Sequence, residues 1–241
     1  MRRTLASAAG LPGSVRLCLF DLDYTLIQLM LDPVGVHVEV LEAAGHRLPR
    51  ATVQAAYDAG WDDYLQAGQR WPSQAAAYLQ VVCRGLAALG VADAGDELAQ
   101  RIDARINDVS DMAVYDDSVP VLAAVRGAGF RVALATGRWH DPRPDLDHLA
   151  LTGCFDRIYH SGEFGHQKDD GRFWGSLVAD AELEPAEILL IDDAPDSVRV
   201  ARGAGLQALA IHREGSPLGP LPGADLRSLR ALLPILGIAG G

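Results

Sequence analysis

The chain has 241 residues, enough for one large domain or for a core domain with an insert. Its formal net charge of -11 excludes a broad basic face for a nucleic acid polymer, and its three scattered cysteines exclude a disulfide framework or a Cys/His zinc cluster. An anionic small molecule is compatible with this balance only where the site carries its own local positive charge.

Residues 1–13 are rich in small side chains and lack the apolar stretch of a signal peptide, so they read as a loose tail. No segment approaches the roughly 20 apolar residues of a membrane span. A reducing cytoplasm is the expected compartment.

The first strand is the unbroken apolar run Val15–Phe20. It stops on Asp21 and Asp23, with Thr25 two positions further. In an extended chain residues i and i+2 project to the same side, so both carboxylates converge on one point. Like charges held that close call for a metal ion, a shared proton or a chemical task; an acidic turn is the alternative. For about 90 residues after this strand no strand pattern follows, too long for a single crossover. Helical periodicity covers Val34–Ala44, Thr52–Ala67, Gln74–Leu89 and Glu97–Val109, which predicts a helical second domain over residues 27–114. Its aromatics Tyr57, Trp61, Tyr64, Trp71 and Tyr78 read mainly as packing, and Arg70 and His37 are candidates for shaping a substrate pocket.

Helix–glycine–strand punctuation then takes over. Asp116 and Asp117 read as acids at the start of a helix over Val119–Gly129, complementing its dipole. A strand over Arg131–Ala135 runs into Thr136, Gly137 and Arg138. After the strand Arg157–His160 a loop leads to Lys168, and Asp169-Asp170 precede a further helix. The strand Ile188–Ile191 ends on Asp192 and Asp193, a helix spans Asp196–Gly205, and a last strand covers Ala208–Ile211. Such βα units predict an α/β fold with a doubly wound parallel sheet, formed by residues 1–26 and 115–241. Ligands of open α/β sheets bind beyond the carboxyl ends of the strands. On that rule Asp21, Asp23, Thr136, Lys168, Asp192 and Asp193 arrive at one rim.

These residues carry a resemblance to the haloacid dehalogenase-like (HAD) hydrolase superfamily, over nearly the full length. Asp21-Leu22-Asp23-Tyr24-Thr25 resembles its DxDx(T/V) motif, Thr136 its strand-end Ser/Thr, Lys168 its third motif, and Asp192-Asp193 its acidic fourth motif. The helical insert resembles a C1-type cap. The chain departs from the pattern where Asp169 and Gly171 replace the usual prolines, and the outer acid of the fourth motif falls to Asp196 or Ser197.

The resemblance implies a Mg²⁺-dependent phosphatase acting on a small phosphorylated metabolite through an aspartyl-phosphate on Asp21. Asp23 is implied as acid and base, Lys168 as the cation holding Asp21 and phosphate, and Thr136, Gly137 and Arg138 as substrate contacts. The implied metal set is Asp21, Asp23, Asp192 and Asp193. Asp23 ranks phosphatase above 2-haloacid dehalogenase, because a carbon–halogen bond leaves no alcohol to protonate. A phosphomutase and a non-catalytic regulatory protein are the other readings. Substrate identity and oligomeric state are not legible in the sequence.

Overall fold

Five short, largely apolar runs build the centre of the protein, whose computed structural model describes residues 15–67, 74–91, 95–106, 108–214 and 223–239. In chain order the strands and helices are β1 (Leu17–Phe20), β2 (Ile27–Leu29), α1 (Pro33–Ala43), α2 (Arg50–Ala67), α3 (Gln74–Ala88), α4 (Gly95–Ile106) and β3 (Met112–Val114). They continue as α5 (Ser118–Gly127), β4 (Arg131–Thr136), α6 (Arg143–His148), β5 (Arg157–His160), α7 (Ser161–Phe164) and α8 (Gly171–Ala181). β6 (Ile188–Asp192), α9 (Pro195–Gly203), β7 (Gln207–Ala210) and α10 (Leu232–Ile235) complete the set.

The main sheet has the order β5-β4-β1-β6-β7, with every adjacent pair parallel. β1 is therefore the central strand, and all four of its residues are buried. Parallel strands covered on both faces must be apolar on both, which is why the runs do not alternate. Leu17 and Leu19 face a core shared with Phe173, Trp174 and Leu177 of α8 and Val198 of α9. Cys18 and Phe20 point the other way and are equally buried. Burial pushes the Cys18 thiol up to about 12, so it behaves as a small apolar side chain. α9 ends through Gly205 at φ +90°, a left-handed turn that sends the chain straight into β7.

The chain divides into two compact units, one joining the segment up to Leu29 with that from Ala113 onward, the other running Met30–Met112. Among the described residues the second unit is built mainly from helices, with a core of α1, α2, α3 and α4 side chains that includes Val40, Leu41, Leu86 and Ile102. His37, a candidate pocket residue on sequence grounds, is buried in this unit. Its Nδ1 lies 2.7 Å from the Pro33 carbonyl and its ring meets the edge of Tyr57. Arg70, Trp71, residues 1–13 and the side chains of Trp61, Tyr64 and Tyr78 lie outside the described residues.

Two features differ from the sequence reading. The interval before α5 contains two short strands, β2 and β3, which pair as a two-stranded sheet; three residues each are too few to show a period. Asp117 occupies the N-cap position of α5 but its side chain does not cap the helix. It is drawn instead into an ion pair with Arg213, because a buried carboxylate gains more from a guanidinium fork than from one amide. Asp170, by contrast, accepts a hydrogen bond from the Arg172 backbone N–H at the start of α8, as a capping acid does.

Candidate active site

The register of the central strands places the acids. Phe20 is level with Ile191 on one side and Leu134 on the other, so the residues that follow, Asp21, Asp192 and Ala135, lie side by side at the carboxyl edge of three neighbouring strands. The Asp21 amide donates to the Ile191 carbonyl at 2.9 Å and continues the β1–β6 ladder by one step. Beyond it the chain winds into a single turn, with Leu26 and Ile27 amides both donating to the Leu22 carbonyl, at 2.9 and 3.0 Å. Tyr24 takes a left-handed conformation there, at φ +56°. A bulky residue in that region costs about 1–3 kcal/mol, and such strain gathers where a loop must aim a functional side chain.

Lys168 reaches all three strand ends. Its Nζ donates to Asp21, to Asp192 Oδ2 at 2.8 Å and to the Ala135 carbonyl at 3.3 Å. The lysine itself is held by Trp174, whose Nε1 donates to the Lys168 carbonyl at 2.7 Å from a fully buried position in α8. Asp192 is braced by the Ala194 amide on Oδ1, at 2.9 Å. Asp193 lies in the same cluster: single oxygens of Asp21, Asp192 and Asp193 fall within 4.8 Å of one another. No donor or cation bonds the Asp193 carboxylate among the described residues.

One ammonium thus faces three buried carboxylates. Burial raises the Asp21 carboxyl above its ordinary range against the opposing pull of Lys168, and the neighbouring Asp192 and Asp23 charges add to the rise. Asp193 is raised for the same reasons, burial first and then the Asp21 and Asp192 charges. Lys168 is driven the other way from what burial alone would do, because Asp192 and Asp21 hold its proton. Surplus negative charge in a dry cluster of hard oxygen donors suits a divalent cation such as Mg²⁺. The donor set of Asp21, Asp192 and Asp193 fits that ion on charge, hardness and spacing.

The remaining predicted residues divide. Thr136 is buried at the end of β4, and its Oγ1 accepts from the Arg138 amide at 3.4 Å. The Gly137 carbonyl accepts from Gln167 Nε2 at 3.1 Å, tying this loop to the residue before Lys168. Asp23 is turned toward Arg138 rather than Lys168: Arg138 Nη2 and Nε donate to its two oxygens at 2.7 and 3.2 Å. Arg138, expected to meet a substrate anion, is thereby engaged by Asp23 and, through Nη1, by Asp145. Those carboxylates keep its charge against burial. Of the two outer candidates, Ser197 is buried, while Asp196 pairs with Arg199 in solvent at 2.9 Å.

The sequence reading missed the residues that hold these groups in place: Trp174, Gln167, Asp145 and Arg213. Arg213 donates from Nε and Nη2 to the Thr25 carbonyl, at 3.1 and 2.7 Å, and so fixes the end of the Asp21–Thr25 loop. None lies in a motif, and only the position of Gln167 next to Lys168 offered a signal.

A sequence profile described as haloacid dehalogenase-like hydrolase matches residues 15–205. The enolase-phosphatase E1 of Acidiphilium cryptum (strain JF-5) is 31% identical over 104 residues, 42% of this chain and 44% of that protein. The chain spans less than half the length of the curated relatives it matches. Among solved structures, the magnesium-bound HAD-hydrolase YfnB of Bacillus subtilis superposes with a TM-score of 0.70 at 18% identity, covering 93% of this chain and 99% of that one. A 2-haloacid dehalogenase of Pseudomonas syringae pv. Tomato DC3000 gives 0.65 at 20% identity, over 92% and 98%. Likeness at that identity establishes the fold. No helix among the described residues is long and apolar enough to cross a membrane.

Proposed function

This chain belongs to the haloacid dehalogenase-like hydrolase family, and from that premise we propose that it is a Mg²⁺-dependent phosphatase of a small phosphorylated metabolite in the cytoplasm. The observation that carries the reading is the cluster of Asp21, Asp192 and Asp193 around a single lysine, with Asp23 two residues from Asp21. A metal-independent dehalogenase has no use for the third carboxylate, nor for an acid beside the nucleophile. Similarity to an enolase-phosphatase supports phosphate esters over haloacids. We read Met30–Met112 as the family's inserted cap.

The steps follow from the side chains. An Asp21 oxygen attacks phosphorus, the ester bond breaks, and the leaving oxygen takes its proton from Asp23, giving an aspartyl-phosphate and an alcohol. Water then attacks the same phosphorus, Asp23 takes its proton, and Asp21 is released with inorganic phosphate. Lys168 holds Asp21 in line and neutralises charge as the phosphoryl group arrives. Thr136 and the Gly137 backbone donate to phosphate oxygens. Asp21, Asp192 and Asp193 carboxylates and the Asp23 carbonyl would hold Mg²⁺, which when bound offsets the repulsion between carboxylate and phosphate.

Phosphate release from 4-nitrophenyl phosphate, with Mg²⁺ and with EDTA, tests this on the native protein and on Asp21→Asn. Release that needs Mg²⁺ and disappears in D21N is the expected result. Halide release from a 2-haloacid that persists in EDTA would overturn it.

A further inference from the structure

The steps above leave Arg138 without a part, yet it is among the most constrained side chains of the site. Its side chain is 10% exposed, against 31% for Asp23 and 19% for Asp145. Three of its nitrogens are committed: Nη2 and Nε to the two oxygens of Asp23, Nη1 to Asp145. This is the side-on fork that only a guanidinium makes, and it fixes both the position and the plane of the carboxylate it grips. The backbone under Arg138 is clamped as well. Its carbonyl accepts from the Gly162 amide at 3.2 Å, and a Cβ on Gly162 would come within 1.8 Å of the Trp139 carbonyl oxygen. Position 162 therefore admits only glycine, and the Arg138-Trp139 segment is pressed against the first turn of α7. Gln167 ties down the preceding carbonyl, that of Gly137.

Three of its five N–H groups are bound to two carboxylates, so swinging the guanidinium toward a substrate anion would break those bonds, and its backbone is braced against that movement. Asp23, in contrast, gains what a proton donor and acceptor needs. A carboxylate turning freely about its terminal bond offers no single direction to a leaving oxygen. Held by the fork, each Asp23 oxygen keeps one lone-pair direction open while its plane is set. Proton transfer of this kind depends on alignment to within a fraction of an ångström.

We propose that Arg138 is a positioning residue that aims the Asp23 carboxylate at the leaving oxygen and then at water, with Asp145 as its anchor. The proposal rests on the phosphatase reading, and it separates two classes of ester. An alkyl phosphate needs a proton on its leaving oxygen. The 4-nitrophenolate ion departs without one.

The test compares first-turnover release of the leaving group from ethyl phosphate and from 4-nitrophenyl phosphate by the Mg²⁺-loaded native protein and by Arg138→Ala. Release from ethyl phosphate should fall by about 10²-fold in R138A, and release of 4-nitrophenolate by less than about tenfold. The aryl ester should then show a burst, because hydrolysis of the aspartyl-phosphate still needs Asp23 as base. Arg138→Lys should recover part of the alkyl activity, and Asp145→Asn should lose it in the same direction as R138A. Equal losses on both esters, or a raised KM with an unchanged first-turnover rate, would overturn the proposal and leave the phosphatase reading standing. A native chain that releases neither leaving group overturns both. A readout free of metal and turnover is urea unfolding in EDTA of D23N, R138A and the double variant. The midpoint losses should fail to add if the two side chains share one contact, and simple additivity would overturn it.

Discussion

Two buried clusters of opposite charges stand in the same unit of this protein, and they are built on opposite plans. Around Arg213 every charge is matched. The guanidinium donates to both oxygens of Asp117 at 2.8 Å and to the Thr25 carbonyl, and it lies 4.3 Å from the centre of the Tyr115 ring. Asp117 Oδ2 also accepts from Ser228 Oγ at 2.6 Å and from the Leu229 amide at 2.9 Å. Around Lys168 the account does not balance: one ammonium serves Asp21 and Asp192 while Asp193 has no partner among the described residues. A cluster matched in charge specifies structure, since no charge remains there for a ligand to balance. An unmatched one is stable only because the fold holds it, and it marks where binding energy is to be gained.

The largest test of this contrast is Arg213→Ala, which strands a carboxylate whose side chain is 2% exposed. Stability should fall by about 3–5 kcal/mol, read by urea unfolding. A loss below about 1 kcal/mol would place the Arg213 pair with ordinary surface pairs. Next in size, Mg²⁺ at about 100 times its dissociation constant should stabilise the native chain by about 2.7 kcal/mol over the EDTA-treated form. Asp193→Asn should erase that shift. In EDTA the same substitution should stabilise the protein by about 1 kcal/mol, because it removes a charge that repels Asp21 and Asp192. The chemically identical change Asp117→Asn should destabilise, and agreement in sign between the two would refute the contrast.

The smallest effect is read in acid. Burial works to raise the Asp117 carboxyl, but the Arg213 and Ser228 side chains and the Leu229 amide outweigh it and hold it below its ordinary value. A depressed carboxyl stabilises the fold above the unfolded value of about 3.9, and that contribution is lost as pH falls through the depressed native value. The native urea midpoint should therefore drop more steeply below about pH 4 than that of D117N. Parallel curves would show that Asp117 contributes nothing to acid stability.

Legibility in the sequence follows the reach of each interaction. The apolar runs of β1, β4 and β6 stop at polar residues, and a parallel sheet brings such stops to one edge; Asp21, Thr136, Asp192 and Asp193 could be read on those grounds. Lys168 follows no strand directly; the loop after β5 was expected to bring it to the rim, and the family resemblance implied its role there. The helical insert was readable from its period, whereas β2, β3 and the six-residue, largely polar α6 were too short to carry one.

What the sequence by itself determined is therefore the order of elements and the set of groups delivered to the rim, because strand burial and side-chain alternation act over a few residues. The pairing of those groups was decided by tertiary structure alone. Arg138 grips Asp23 across 115 residues, Lys168 reaches Asp21 across 147, and Arg213 closes on Thr25 across 188. An isolated stretch such as Tyr115-Asp116-Asp117-Ser118 looks like a capped helix start until a guanidinium from the far end of the chain competes for its carboxylate. Coulomb attraction in a dry interior outweighs local hydrogen bonding, and only the folded chain sets which charges are near enough to compete.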